Sequence, residues 1–292
     1  MNRPAGDEAV ATANPELAPR IVRLRRELIK AIPRIPNDRT SLQHMEQKHL
    51  GDLLIDYFSW RSRYVGVRPR RITIAPGAAA ASLWAAHRPG IDALLHKVQR
   101  GDDLTAHLSL QPHREGYAPA ARAKPAQRWA DKDFLLNASN LHHFHLGART
   151  EAKGHIERTD ALLFAEIDRA TFRAIGVFDH RVFERGSPEN LRFLEARDAA
   201  RPPAPPDMVV IETLLATSGH PLHVVNHAVH CTRLVRQLDA RLDDRSTLAT
   251  LYRDAGWPVP EKTGPEWMLR HLDLALLDRA NDRGFVLAEG WN

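Results

Sequence analysis

Apolar positions along the chain follow two spacings, and the switch between them sets out the predicted elements. Leu17, Ile21, Leu24 and Leu28 recur at three to four residues, which predicts a helix over 15–32. Asn14-Pro15 opens it as cap and first-turn proline, and Pro33 and Pro36 close it. Met45, Leu50, Leu53, Leu54 and Tyr57 predict a second helix over 41–60. Over 64–74 the pattern partly alternates, through Val65, Val67, Ile72 and Ile74, as in a strand interrupted at Pro69. The Ala78-Ala79-Ala80-Ala81 run leads into a helix or a tight connection. A short helix over 89–98 stops at Gly101, and Asp102 or Asp103 can cap a further helical turn. Residues 111–127, rich in Pro, Ala and basic side chains, read as a loop.

Beyond that loop strand spacing takes over. A helix over 129–137 precedes an apolar strand over 141–146. Ala161-Leu162-Leu163-Phe164-Ala165-Glu166-Ile167, the turn Asp168-Arg169-Ala170 and a return strand over 171–178 make a hairpin signal. Ser187-Pro188-Glu189 starts a helix to about Ala199, and Arg201-Pro202-Pro203-Ala204-Pro205-Pro206-Asp207 is a stiff linker. Next come a strand over 208–215, helices over 221–242, 246–255 and 265–280, and a closing strand over 284–288. A helical N-terminal part followed by a small, mainly antiparallel sheet flanked by helices is α+β rather than doubly wound α/β. The chain then divides into a flexible leader (1–13), a basic, mostly helical region (14–127), a histidine-containing sheet region (128–200), the linker (201–207) and a C-terminal α/β region (208–292) packing on the same core.

Composition narrows the class. With 292 residues, 43% of them hydrophobic, the chain can bury a sizeable core. No stretch approaches the ~20 apolar residues of a membrane-crossing helix. The N-terminal MNRPAGDEAVATANPEL carries acids and no apolar run, unlike a signal peptide. Cys231 is the sole cysteine, which excludes an internal disulfide and fits a cytoplasmic protein. Set among His230, Thr232 and Leu234, it reads as a buried structural thiol. The net charge of +5 is uneven: residues 1–136 hold 22 Lys+Arg against 14 Asp+Glu, and the remainder is net acidic. A basic half containing Arg20, Arg23, Arg25, Arg26, Lys30, Arg61, Arg63, Arg68, Arg70 and Arg71 would draw RNA or another polyanion, or form a solvated helix face.

The candidate chemistry concentrates in Leu141-His142-His143-Phe144-His145-Leu146-Gly147. Imidazole titrates near neutral pH and is the commonest metal ligand. On a strand His143 and His145 share one face with Leu141, while His142 lies on the other with Phe144 and Leu146, an apolar pair that marks the core side. His143 and His145 are therefore the pair offered to a cleft, with His180 as a third member. Arg149 and Arg158 complete a candidate catalytic set for RNA cleavage. One imidazole takes the ribose 2′-hydroxyl proton, another protonates the leaving oxygen, and a guanidinium steadies the phosphorane, with no metal cofactor. Two readings compete. His143 and His145, with His180, Glu151 or Asp179 as a third ligand, would hold Zn or Fe for a hydrolase or oxygenase. A basic N-terminal half would also suit a non-catalytic nucleic-acid-binding module.

A second set, His220, His223, His227 and His230, falls on one helix face. Val224 follows His223, so the glutamate of His-Glu-x-x-His is missing, and the set reads as a polar stripe packed against the central site. Ser218-Gly219-His220 opens that helix and would offer backbone amides to an anion. Gly-x-Ser-x-Gly, P-loop and Gly-x-Gly-x-x-Gly motifs are absent from the sequence, which counts against serine hydrolases, NTPases and dinucleotide enzymes.

The Leu141–Gly147 run, with Arg158-Thr159-Asp160-Ala161-Leu162-Leu163-Phe164-Ala165 and His180, resembles a group of uncharacterised bacterial proteins carrying a similar histidine-rich strand ahead of an Arg…Leu-Leu-Phe-Ala hairpin. That likeness spans residues 98–185 and implies no activity. The hairpin followed by His180 also looks like the small sheet of RelE-type endoribonuclease toxins, much shorter proteins. This second likeness implies a bacterial toxin or defence protein acting on RNA. His143-x-His145 with Glu151 is similar to the metal motif of cupins, from which the glutamate spacing departs.

Overall fold

The computed structural model describes residues 15–34, 37–109, 134–147, 149–152, 154–201 and 214–292. The expected leader, the 111–127 loop, the linker beyond Arg201 and most of the 208–215 strand lie outside them. The described helices are α1 (Pro19–Ala31), α2 (Arg39–Glu46), α3 (Leu50–Arg61), α4 (Ser82–Ala86), α5 (Arg88–Arg100), α6 (Phe134–Ser139), α7 (Pro188–Ala200), α8 (Leu222–Asp239) and α9 (Arg245–Asp254). The strands are β1 (Arg71–Ile74), β2 (Leu141–His145), β3 (Ala161–Ile167), β4 (Thr171–Asp179), β5 (Pro265–Arg270), β6 (Asp273–Asp278) and β7 (Arg283–Ala288). The class is α+β: two small, mostly antiparallel sheets with helices around them.

Local chemistry sets several boundaries. Ser187 caps α7, its hydroxyl accepting from Asn190 N at 3.0 Å with Pro188 in the first turn. Gly101, at φ 75°, ends α5 in the left-handed region. The expected 41–60 helix is split into α2 and α3, and Asp38 caps the first half by accepting from Ser41 N at 2.7 Å. The 15–32 helix begins a turn late: Pro15–Leu17 is a 3-10 turn, Leu17 is exposed, and Pro19 supplies the first-turn proline. The strand expected over 64–74 is reduced to β1, beyond Pro69.

The first sheet runs β1-β4-β3-β2, with β1 parallel to β4 and the other pairs antiparallel. A bulge between Phe164 and Ala165 pairs them with Gly176 and Ala174, leaving Ile175 extra. Phe172 and Phe178 therefore face opposite sides of the sheet. Phe172 meets Phe144 on one side, and Phe178 meets Phe193 of α7 on the other. Both faces are thus covered, α7 lying on the face of Phe164 and α5 reaching the end of β2. A Cβ on Gly90 would come within 2.2 Å of the Leu146 carbonyl oxygen.

The helix expected over 265–280 is instead the hairpin β5–β6, joined to β7 in the second sheet. Leu272 to Leu276 are buried as a continuous run into the central strand of this sheet, and His271 turns the chain at φ 57°. Helix propensity there yields to strand pairing, because the face of Trp267, Leu274 and Leu276 has a core to fill.

Packing also divides the molecule along different lines from the expected regions. One core cluster gathers the first sheet with α4, α5 and α7; the other gathers α1, α3 and α8 with the second sheet. The C-terminal region therefore shares its core with the N-terminal helices. Several arginines of the basic half form ion pairs across the same contact. Arg20 pairs with Asp239 and Asp243, Arg23 with Glu266 and Arg68 with Asp273. Arg70 is buried, donating to the carbonyls of Asp168 and Gly66 at 2.8 Å. Arg20, Arg68 and Arg70 are thus largely enclosed as cross-links, whereas Arg23, its side chain 59% exposed, stays at the surface.

Candidate functional site

Strand β2 is an edge strand, and its alternation sorts the three histidines as expected. His142 is buried on the side of Phe144, ring stacked on ring, and its Nε2–H donates to the Ser62 carbonyl at 2.9 Å. His143 pairs in register with Phe164 on the opposite face, which is also the side of α7. That face is not open along its length. His145 is only 5% exposed, and His143 is half-buried.

What closes over the pair is the 3-10 turn His180–Phe183, which follows β4 directly. Asp179 caps this turn by accepting from Arg181 N at 2.9 Å, and its carboxylate also binds the Arg181 side chain. The turn brings the His180 ring to 6.2 Å from His145, and Phe183 to 5.5 Å from His143 and 6.1 Å from His180. His143, His145 and His180 are therefore brought together, as the sequence suggested. His180 is the solvent-facing member, with its side chain 48% exposed. Its Nδ1–H donates to the Asp160 carbonyl at 2.8 Å, beside that residue's carboxylate at 3.2 Å.

Burial pushes His145 down to about 4, helped by the positive charges that His143, Arg158 and His180 would place beside it. At neutral pH it is an uncharged imidazole, and its Nδ1 is buried without a hydrogen-bond partner among the described residues. Both candidate arginines are exposed. Arg158 is the one whose charge acts on His145; Arg149 is not among the groups acting most strongly there. Of the two further candidate ligands, Asp179 is held by Arg181, and Glu151 is exposed in the turn that joins Thr150 to Ile156. Among the described residues no three His, Cys, Asp or Glu side chains are grouped as ion ligands.

Two participants escaped the sequence reading. His107, on the 3-10 turn Thr105–His107, is buried and donates Nδ1–H to the His145 carbonyl at 2.9 Å. Lys97 of α5 in turn donates to His107 Nε2 at 2.9 Å. The pair covers the open edge of β2 at His145. Asp103 caps that turn, accepting from Thr105 N at 2.8 Å, and this was the only local signal. Nothing in the spacing links positions 97, 107 and 145.

The second histidine set belongs elsewhere. His220 bonds Ser59 Oγ at 2.8 Å, His223 and His227 pack against Trp291, and His227 donates to the Leu272 carbonyl at 2.9 Å. His230 is exposed. The stripe therefore packs on the second sheet and not on the central site, joined there by His271, which accepts from Arg61 and donates to Asn292. Ser218-Gly219-His220 forms a turn closed by Ala216 N on the His220 carbonyl, ahead of α8 rather than at its first amides. Cys231 is buried beside His227, and burial lifts its thiol to about 12, as suits a structural residue. Compared with family models, curated proteins and solved structures, the chain matches none.

Proposed function

We propose that the chain is a metal-independent, ribonuclease-like protein acting at the histidine centre. The observation that carries this reading is the meeting of an exposed imidazole (His180), a half-buried one (His143) and an uncharged one held behind them (His145), with the exposed Arg158 alongside. Phosphodiester cleavage at a ribose needs one group to take the 2′-hydroxyl proton, one to protonate the leaving oxygen and a cation on the phosphoryl oxygens. His180 and His143 are the two that solvent reaches, so they fill the acid and base roles. Arg158 meets the phosphate. His145 supports them from behind: as a neutral ring it adds no charge to a site already crowded with nitrogen.

The test is cleavage of a labelled single-stranded oligoribonucleotide in EDTA, beside the all-deoxy oligonucleotide of the same sequence. RNA should be cut and DNA spared, because DNA lacks the attacking hydroxyl. Replacing His180 or His143 by Ala should slow cleavage by about 100-fold or more. Cleavage abolished by EDTA and restored by Zn or Fe would favour the metal-dependent alternative. RNA binding without cleavage would leave a nucleic-acid-binding module.

A further inference from the structure

Phe183 stands apart from the other aromatic residues of the fold. Phe144, Phe164, Phe172, Phe178 and Phe193 are wholly buried, whereas Phe183 is 45% exposed. Among the described Phe, Tyr and Trp side chains with a defined exposure, it is the one left exposed to solvent. A phenyl ring left in water forgoes the apolar burial that a core position would give it. It is nevertheless held in place: His143 lies edge-on at 5.5 Å, His180 at 6.1 Å and Phe164 at 6.2 Å. One side of the ring is therefore backed by the site, and the rest faces solvent.

We infer that Phe183 is the platform on which a nucleobase of a single-stranded RNA substrate stacks, a subsite that rests on the ribonuclease reading above. Three observations converge on a nucleotide. The platform is a π face. It adjoins the two solvent-reached histidines that would handle the ribose and the leaving oxygen. The exposed Arg158 beside this centre suits a phosphate. A ligand with an aromatic ring, a hydroxyl-bearing sugar and an anionic ester uses all three at once. Single-stranded rather than duplex RNA is implied, because paired bases are already stacked on their neighbours and offer only their edges. Stacking is tolerant of base identity, so Phe183 would set affinity and register rather than strict sequence choice.

The test uses full-length protein and a 2′-O-methyl oligoribonucleotide, which keeps the bases and phosphates but lacks the attacking hydroxyl. Affinity is read by fluorescence anisotropy, and cleavage of the unmodified oligonucleotide gives KM and kcat. Phe183→Ala should weaken binding and raise KM by about 5- to 100-fold with kcat little changed. Phe183→Leu, which keeps apolar bulk without a π face, should resemble the alanine variant. Phe183→Trp should bind at least as well as the wild type, its indole fluorescence quenched by the oligonucleotide. Wild-type binding by the alanine or leucine variant overturns the subsite alone. A wild-type protein that binds no oligonucleotide overturns the ribonuclease reading and the subsite with it.

Discussion

His145 owes its properties to groups far from it in sequence. Its side chain is kept neutral by burial, and its carbonyl is held by His107 Nδ1–H, whose other nitrogen accepts from Lys97. Because the His145 carbonyl can only accept and Lys97 donates, His107 must be the neutral Nδ1–H tautomer. Nitrogen NMR of the imidazoles should show that tautomer at pH 7; an Nε2–H form would contradict the arrangement. Replacing His107 by Leu strands both Lys97 and the carbonyl, so unfolding free energy should fall by about 1–3 kcal/mol in chemical denaturation.

Among the elements, β2 shows how close packing can outweigh propensity. In an exposed helix, replacing glycine by alanine gains up to about 1 kcal/mol. At Gly90 of α5 the added methyl would meet the Leu146 carbonyl oxygen at 2.2 Å. Gly90→Ala is therefore expected to destabilise, by about 1–3 kcal/mol, and to lower Tm; an unchanged or raised Tm would mean that α5 does not sit on β2 as described. The β3–β4 hairpin, α7, α9 and the sides of β2 were legible because alternation, caps and the Asp168-Arg169-Ala170 turn act within a few residues. The 265–280 segment was not, since Leu and Ala serve either period. Only the core waiting beneath Leu274 and Leu276 decides for strands.

At the scale of the molecule, uncharged histidines couple stability to pH. His145 and His271 are both pushed down to about 4, chiefly by burial, and His107, His223 and His227 shift the same way. Between pH ~6.5 and ~4 the unfolded chain binds protons on these rings and the folded chain does not. Their contribution to stability is therefore present above pH ~6.5 and is lost as the pH drops toward 4, with His145 and His271 each contributing at most about 3 kcal/mol. Urea unfolding at pH 7 and pH 4.5 should show the loss. His271→Asn, which tolerates the left-handed backbone, should reduce the slope; a flat profile would rule the coupling out.

No described helix is long and apolar enough to cross a membrane, in keeping with the sequence. By itself the sequence determined the α+β class, the hairpin, the sorting of His142 from His143 and His145, and the buried character of Cys231. These follow from spacing, capping and residue type, which act locally. Tertiary structure alone decided that Arg20 and Arg68 join distant segments as partly buried cross-links. It also decided that His180, Phe183, His107 and Lys97 meet at β2, and that the second histidine stripe serves another core. Those outcomes depend on which distant surfaces bury each other, and no local period encodes that choice.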